Sequence, residues 1–249
     1  MKILICLSNV PDTTTKIKFT GDGKNFDATG IQWIINPWDE FALTRALEIK
    51  ETSGTTVERV TVLTVGQADT EPTLRKALAI GADDAVRIDA DPKDTYQVAA
   101  QIADFLNNQP YDIILCGIES SDYNGSLVGG MLAEFLDYPS VSSVSGLHLE
   151  NGQVRLNREI DGGQEVLETT LPFVAIVQKG IAKEPRIPSM RGIMMARSKP
   201  LTVKPGISVE ELTEFTSFEL PPPHAKCTMI DEENVGELVD VMKNNLKLF

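Results

Sequence analysis

The chain has 249 residues, 42% of them hydrophobic, and a formal net charge of −13. That length and apolar content can bury a substantial core without disulfides or metals, while the acidic balance argues against nucleic acid or an anionic membrane as the main partner. The three cysteines have no paired spacing, and the two histidines, His148 and His224, lie far from any Cys/Asp cluster, which argues against a zinc site, a disulfide framework or a Ser-His-Asp triad.

From the N-terminus, residues 2–7 are the first apolar run, too short for a signal h-region or a membrane span. No later run approaches about 18 apolar residues, so the expectation is a cytoplasmic chain with no direct membrane insertion. Further runs rich in Ile, Val and Leu lie at 57–65, 85–88, 112–116 and 173–178. Such runs fit strands buried on both faces of a parallel sheet. Helical segments alternate with them. The first is predicted to open at Pro37-Trp38-Asp39, with Ala42, Leu43, Ala46, Leu47 and Ile49 at helical spacing and Gly54 just past its end. The second runs from Thr70-Glu-Pro72 to Gly81, the third over 94–107 and the fourth over 127–136. This order predicts an α/β fold with a doubly wound, mostly parallel sheet, whose ligands bind beyond the carboxyl ends of the strands.

Two segments interrupt the alternation. Gly21-Asp-Gly23 lies between Lys16–Thr20 and Ile31–Ile35, predicting a hairpin after the first strand; Gly23-Lys24 lacks the spacing of a Walker loop. Over 141–170 the pattern predicts an antiparallel extension, with turns at Asn151-Gly152 and Gly162-Gly163. Beyond 179, prolines at 185, 188, 200, 205 and 221–223 predict extended pieces. One helix follows, capped by Asp231 and carrying Val235, Leu238, Val239, Met242 and Leu246. This C-terminal arm packs either on its own domain or around a second subunit.

Between the run 112–116 and the fourth helix lies Gly117-Ile-Glu-Ser-Ser-Asp-Tyr-Asn-Gly-Ser-Leu-Val128. The small residues Ser120, Ser121, Asn124, Gly125, Ser126 and Gly129 leave room for an anion beside backbone amides, and a helix start carries partial positive charge. A nucleotide phosphate fits such a loop. So does a plain βα connection whose glycines and serines satisfy turn and cap geometry.

Val10-Pro-Asp12, Asn36-Pro-Trp-Asp-Glu40, Ala77-Leu-Ala-Ile-Gly-Ala-Asp83, the 117–130 loop, Arg158-Glu-Ile-Asp-Gly-Gly163 and Glu184-Pro-Arg186 occur in that order. In this the chain resembles, over essentially its whole length, the β subunit of electron transfer flavoprotein. The resemblance implies an adenine nucleotide alpha hydrolase-like fold, with a nucleotide-binding α/β domain over 1–180. A recognition loop and an arm packing on the α subunit occupy 181–249. It implies a non-catalytic electron carrier: a heterodimer that takes electrons from flavin dehydrogenases, such as acyl-CoA dehydrogenases, and passes them to a membrane quinone oxidoreductase. FAD would be held mainly by the α subunit and a structural AMP by this chain.

By the same resemblance the AMP contacts fall on Cys6, Asn36, Pro37, Trp38, Asp39, Val65, Gly117 and Ser120 through Val128, that is Ser120, Ser121, Asp122, Tyr123, Asn124, Gly125, Ser126, Leu127 and Val128. Trp38 and Thr13 would lie beside the flavin, Trp38 being otherwise a hydrophobic-staple residue. Glu159 would pair with an arginine of the α subunit, or else is an exposed strand carboxylate. The recognition loop spans Glu184–Ala196, with Met190 as its apolar plug and Arg186, Arg191, Ile193 and Met194 around it. Between Lys179 and Lys204 seven Lys/Arg face one acid, Glu184, either steering acidic partners or forming an ordinary solvated face. Many relatives have Lys where this chain has Ser8, and Gln where it has Glu119. Two alternatives stay open: an electron-bifurcating NADH-oxidising relative with a second FAD in place of AMP, and a stand-alone adenine-nucleotide sensor of the universal-stress type.

Overall fold

The computed structural model describes residues 1–53, 57–150, 153–223 and 227–249. Gly54, the Asn151-Gly152 turn and His224 lie outside the described residues. The chain forms two compact units, one from Met1–Lys16 and Ala28–Thr216, the other from Ile17–Asp27 and Ser217–Phe249.

The first unit is built on a nine-stranded sheet. Its parallel centre comprises β1 (Lys2–Cys6), β4 (Arg59–Val65), β5 (Asp84–Asp89), β6 (Ile113–Gly117) and β10 (Phe173–Val177). Strand alternation sends Ile3 and Ile5 to one face, with Leu4 and Cys6 on the other. Helices α1 (Pro37–Ser53) and α2 (Glu71–Ile80) cover the first face through Leu43, Ala46, Leu74 and Leu78. Helices α3 (Thr95–Asn108) and α4 (Val128–Leu136) cover the second through Ile102, Phe105, Leu132 and Ala133. Both faces are dry, which is why these strands read as unbroken apolar runs.

From β1 the chain winds outward through β4 and β5, then returns to place β6 on the other side of β1. The carboxyl ends of β1 and β6 therefore diverge at a topological switch point, where a crevice opens in sheets of this kind. Beyond β10, β7 (Ser140–Glu150) pairs in parallel, and β8 (Gln153–Ile160) and β9 (Gly163–Thr169) extend the sheet antiparallel, as the 141–170 pattern predicts.

Three sequence expectations need correction. The segment Ile31–Ile35 does not pair with Lys16–Thr20. Instead β3 (Trp33–Ile35) pairs antiparallel with β2 (Asn9–Pro11), because burial of both Val10 and Ile35 selects that partner. In the second unit a smaller hairpin closes on itself around Gly23 at φ +67°, bridging Phe19 to Phe26. The stretch after 179 is more regular than its prolines suggest, with helix α5 (Met190–Ala196) and an edge strand, β11 (Leu201–Pro205), paired in parallel with β5. Prolines are tolerated on such an edge. The last helix, α6 (Val235–Asp240), starts at Asn234 and continues into a π turn over Val241–Asn245, because the Asp231 carboxylate is taken up by the Glu233 amide in a preceding turn.

Candidate functional site

At the switch point one carboxylate joins three elements. Asp39, in the first turn of α1, accepts the Ser8 amide on Oδ2 at 2.8 Å and the Gly117 amide on Oδ1 at 2.9 Å. It thereby ties the ends of β1 and β6 to the helix start. The residue is 2% exposed, and this burial raises its pKa to about 7, against the opposing pull of the Ser8 amide, the Asn36 side chain and the Gly117 amide. Pro37 occupies the first helical position, where its missing N–H costs nothing. Asn36, also buried, holds the loop that follows β6: its Nδ2 donates to the Glu119 carbonyl at 2.9 Å and its Oδ1 accepts the Ser121 amide at 3.2 Å.

Gly117 answers a steric demand here. A Cβ at this position would stand 2.4 Å from Asp39 Oδ1 and 2.9 Å from Trp38 Cβ. Gly129 is similarly confined, 2.6 Å from Ile176 Cγ1, whereas a Cβ on Gly125 would meet nothing within 4 Å. The left-handed turn of the loop falls on Asn124, at φ 51°. Asp122 closes the loop on itself, accepting the Ser120 hydroxyl and the Tyr123 amide. Ser120 N also donates to the Gly125 carbonyl at 2.9 Å.

Two features of this loop carry polar groups without a side-chain partner. Ser121 Oγ is enclosed and makes no hydrogen bond, a rare condition for a buried hydroxyl. Helix α4 begins at Val128 with Leu127 as its N-cap, so no side-chain oxygen satisfies its first-turn amides. Such groups suit an oxygen-rich anion, and Ser126, exposed two residues before α4 begins, adds a further hydroxyl.

The other predicted residues are distributed around this crevice. Cys6 and Cys116 are register partners on β1 and β6, and the adjacent Cys116 thiol together with burial pushes the Cys6 thiol well above its ordinary pKa, so it is an inert wall. Val65 ends β4, half-buried. Trp38 is half-buried beside Gly117, and Thr13 is exposed in a turn built on Asp12, whose carboxylate accepts the Thr14 amide. Tyr123 is exposed and stacks on Phe215 at 5.0 Å between centroids.

Glu159 lies apart, on β8. Its Oε1 accepts Ser145 Oγ and Gln164 Nε2, each at 2.6 Å. Neighbouring Arg158 stands 3.5 Å from Glu165.

The 184–196 segment forms a third location. Arg186 makes a two-pronged pair with Glu51 of α1 and donates its amide to Thr44 Oγ1, so it anchors the segment. Met190 and Met194 are 78% and 72% exposed, and Ile187, Ile193 and Met195 are exposed beside them. Arg191 is exposed on the same helix, with Lys179, Lys183 and Arg197 exposed nearby in the chain, while Lys199 is committed to backbone carbonyls of α2.

The family model described as Electron transfer flavoprotein domain matches residues 24–206. Across the whole chain, 34% of residues are identical to the electron transfer flavoprotein subunit beta of Syntrophomonas wolfei, over 98% of that protein. The chain belongs to the electron transfer flavoprotein β-subunit family. The Bacillus subtilis β subunit is 37% identical over 81% of this chain and 77% of its own length, and the human one 29% identical over 98% and 97%. Membership makes the chain a carrier-type component of electron transfer.

Among the described residues no group of three or more His, Cys, Asp or Glu is placed to hold a metal, and no helix is long and apolar enough to cross a membrane. Sequence reading missed the tie from Ser8 and Gly117 to Asp39, the Phe215 stack and helix α5. Ser189 followed by Met-Arg-Gly-Ile-Met-Met-Ala was a readable cap signal, since its Oγ accepts the Gly192 amide at 3.0 Å.

Proposed function

We propose that this chain is the β subunit of a heterodimeric electron-carrying flavoprotein, that it holds AMP at the 117–128 loop, and that it presents α5 to flavin dehydrogenases. Two observations carry the nucleotide assignment, the unpartnered Ser121 hydroxyl and the uncapped start of α4, both in the connection that follows β6 at the switch point of the sheet. Ser121, Ser126 and the first amides of α4 would hold the phosphate. Asn36 and Asp39 do not reach for it themselves; they fix the backbone of the loop that does. Glu119 contributes its carbonyl to that framework.

FAD, held mainly by the α subunit, supplies the redox chemistry. This chain supplies a wall for it at Trp38 and Thr13. Glu159, oriented by Ser145 and Gln164, is the carboxylate offered to the α subunit. The exposed apolar surface of α5 and its surrounding cations make the docking face, and the carrier hands electrons on to a quinone oxidoreductase from a cytoplasmic location. A stand-alone nucleotide sensor would leave the full-length match to β subunits without a reason.

The test is to co-express the chain with its α subunit, denature the purified yellow complex in acid and quantify the released nucleotides. One FAD and one AMP per heterodimer are expected. Two FAD and no AMP would replace the AMP assignment with the bifurcating alternative, and a colourless chain without a partner would overturn the carrier reading.

A further inference from the structure

Helix α5 has seven residues, too few to be stable alone in water. Burial does little for it, because Met190, Ile193, Met194 and Met195 are exposed and only Ala196 is buried. What holds it is a set of polar and backbone contacts to α2. Gly192 lies so close to α2 that a Cβ would stand 2.2 Å from the Ala79 carbonyl oxygen. At the carboxyl end the two helices cap each other. Arg75 of α2 donates from Nη1 to the carbonyls of Ala196 and Lys199, both at 2.8 Å. Lys199, just past α5, returns Nζ to the carbonyls of Leu78 and Ala82 at the end of α2, at 3.0 and 2.5 Å. Each cation therefore sits at the negative end of the other's helix and donates to carbonyls there. Burial of the Lys199 ammonium in this setting lowers its pKa.

We infer that Arg75 and Lys199 are positioning residues for docking: by cross-capping α2 and α5 they keep the Met190–Met195 surface folded before a partner arrives. The inference rests on the reading of α5 as the docking face. A preformed helix spares the partner the cost of ordering it, so the clamp acts on affinity and leaves electron transfer within the complex alone. Neither residue touches the partner-facing methionines' role as contacts; both act through the helix.

The experiment uses the holo heterodimer as electron acceptor for a flavin dehydrogenase that reduces the wild type. It compares Met190→Ala, Arg75→Met, Lys199→Met and the conservative Arg75→Lys, each checked for wild-type flavin absorbance. Arg75→Met and Lys199→Met are each expected to raise KM for the carrier at least fivefold with kcat unchanged, and to speed amide hydrogen exchange over 193–199. Arg75→Lys should stay within about twofold of wild type, since one ammonium can still serve both carbonyls. Met190→Ala should raise KM without changing exchange, because it removes a contact and not the clamp. A KM moved by Met190→Ala but by neither Arg75→Met nor Lys199→Met overturns the clamp alone. A raised KM with unchanged exchange also overturns it, by making the effect one of surface charge. If Met190→Ala leaves KM unmoved, the docking reading falls and takes the clamp's role with it.

Discussion

The Gly117 amide donates to Asp39 Oδ1 at 2.9 Å, and a methyl group on that glycine would stand 2.4 Å from the same oxygen. The hydrogen bond and the glycine are one design: the end of β6 can approach the carboxylate only without a side chain.

Gly117→Ala should therefore lower stability by about 2 kcal/mol or more, since neither the backbone of β6 nor the α1 start can give way without breaking the tie. Gly125→Ala, whose methyl meets nothing within 4 Å, should stay within about 0.5 kcal/mol. Urea midpoints of the two variants measure the contrast. Equal midpoints would show that the Gly117 contact relaxes freely.

Asp39 gives stability a pH dependence of known sign. Its carboxyl titrates near 3.8 when unfolded and about 7 when folded, so between those values the folded chain holds a proton that the unfolded chain has lost. The stabilisation from this group is complete below 3.8 and is lost as pH rises through 7, by at most about 4 kcal/mol. Asp39→Asn abolishes the titration and turns an amide N–H toward the Ser8 or Gly117 N–H, at a cost of about 1–3 kcal/mol. The variant should be clearly weaker than wild type at pH 5, with the gap narrowing toward pH 8. Parallel stability curves over that range would refute the raised pKa.

Ser121→Ala removes a hydroxyl that makes no hydrogen bond within the protein. The nucleotide-free protein should keep its urea midpoint, while AMP binding measured by calorimetry should weaken roughly fivefold to tenfold, the value of one hydrogen bond. An unchanged AMP affinity would remove Ser121 from the phosphate site.

Residues 206–213 are laid along α3 by side chains standing in for a strand. Gln101 exchanges two bonds with Ile207, Gln97 donates to the Val209 carbonyl, and Asp94, the cap of α3, also accepts the amides of Leu212 and Thr213. Those amides and that of Gln97 outweigh the effect of burial and hold the Asp94 carboxyl below its ordinary pKa. The strap ends on Phe215, stacked against Tyr123 of the loop. Phe215→Ala, losing a stack worth about 0.5–1.5 kcal/mol, should make the 206–216 segment cleave faster in limited proteolysis and speed AMP release. Cleavage and release at wild-type rates would mean that the strap is held by α3 alone.

The sequence by itself determined the alternation of buried strands and helices and the small-residue connection that follows β6. These follow from local patterning: a doubly covered strand needs an unbroken apolar run, and a tight βα connection needs small residues. Tertiary structure decided what depends on distant partners. Trp33–Ile35 pairs with Asn9–Pro11 because both have a residue to bury, and Leu201–Pro205 is a strand because β5 offers an edge. Met190–Ala196 has a local cap in Ser189, but its seat against α2 is made by Arg75 and Lys199. Asp39 shows the division within one residue. Its place at a helix start is written in Asn36-Pro-Trp-Asp, but its shifted titration and its hold on two strands arise only when burial and the amides of Ser8 and Gly117 converge on it.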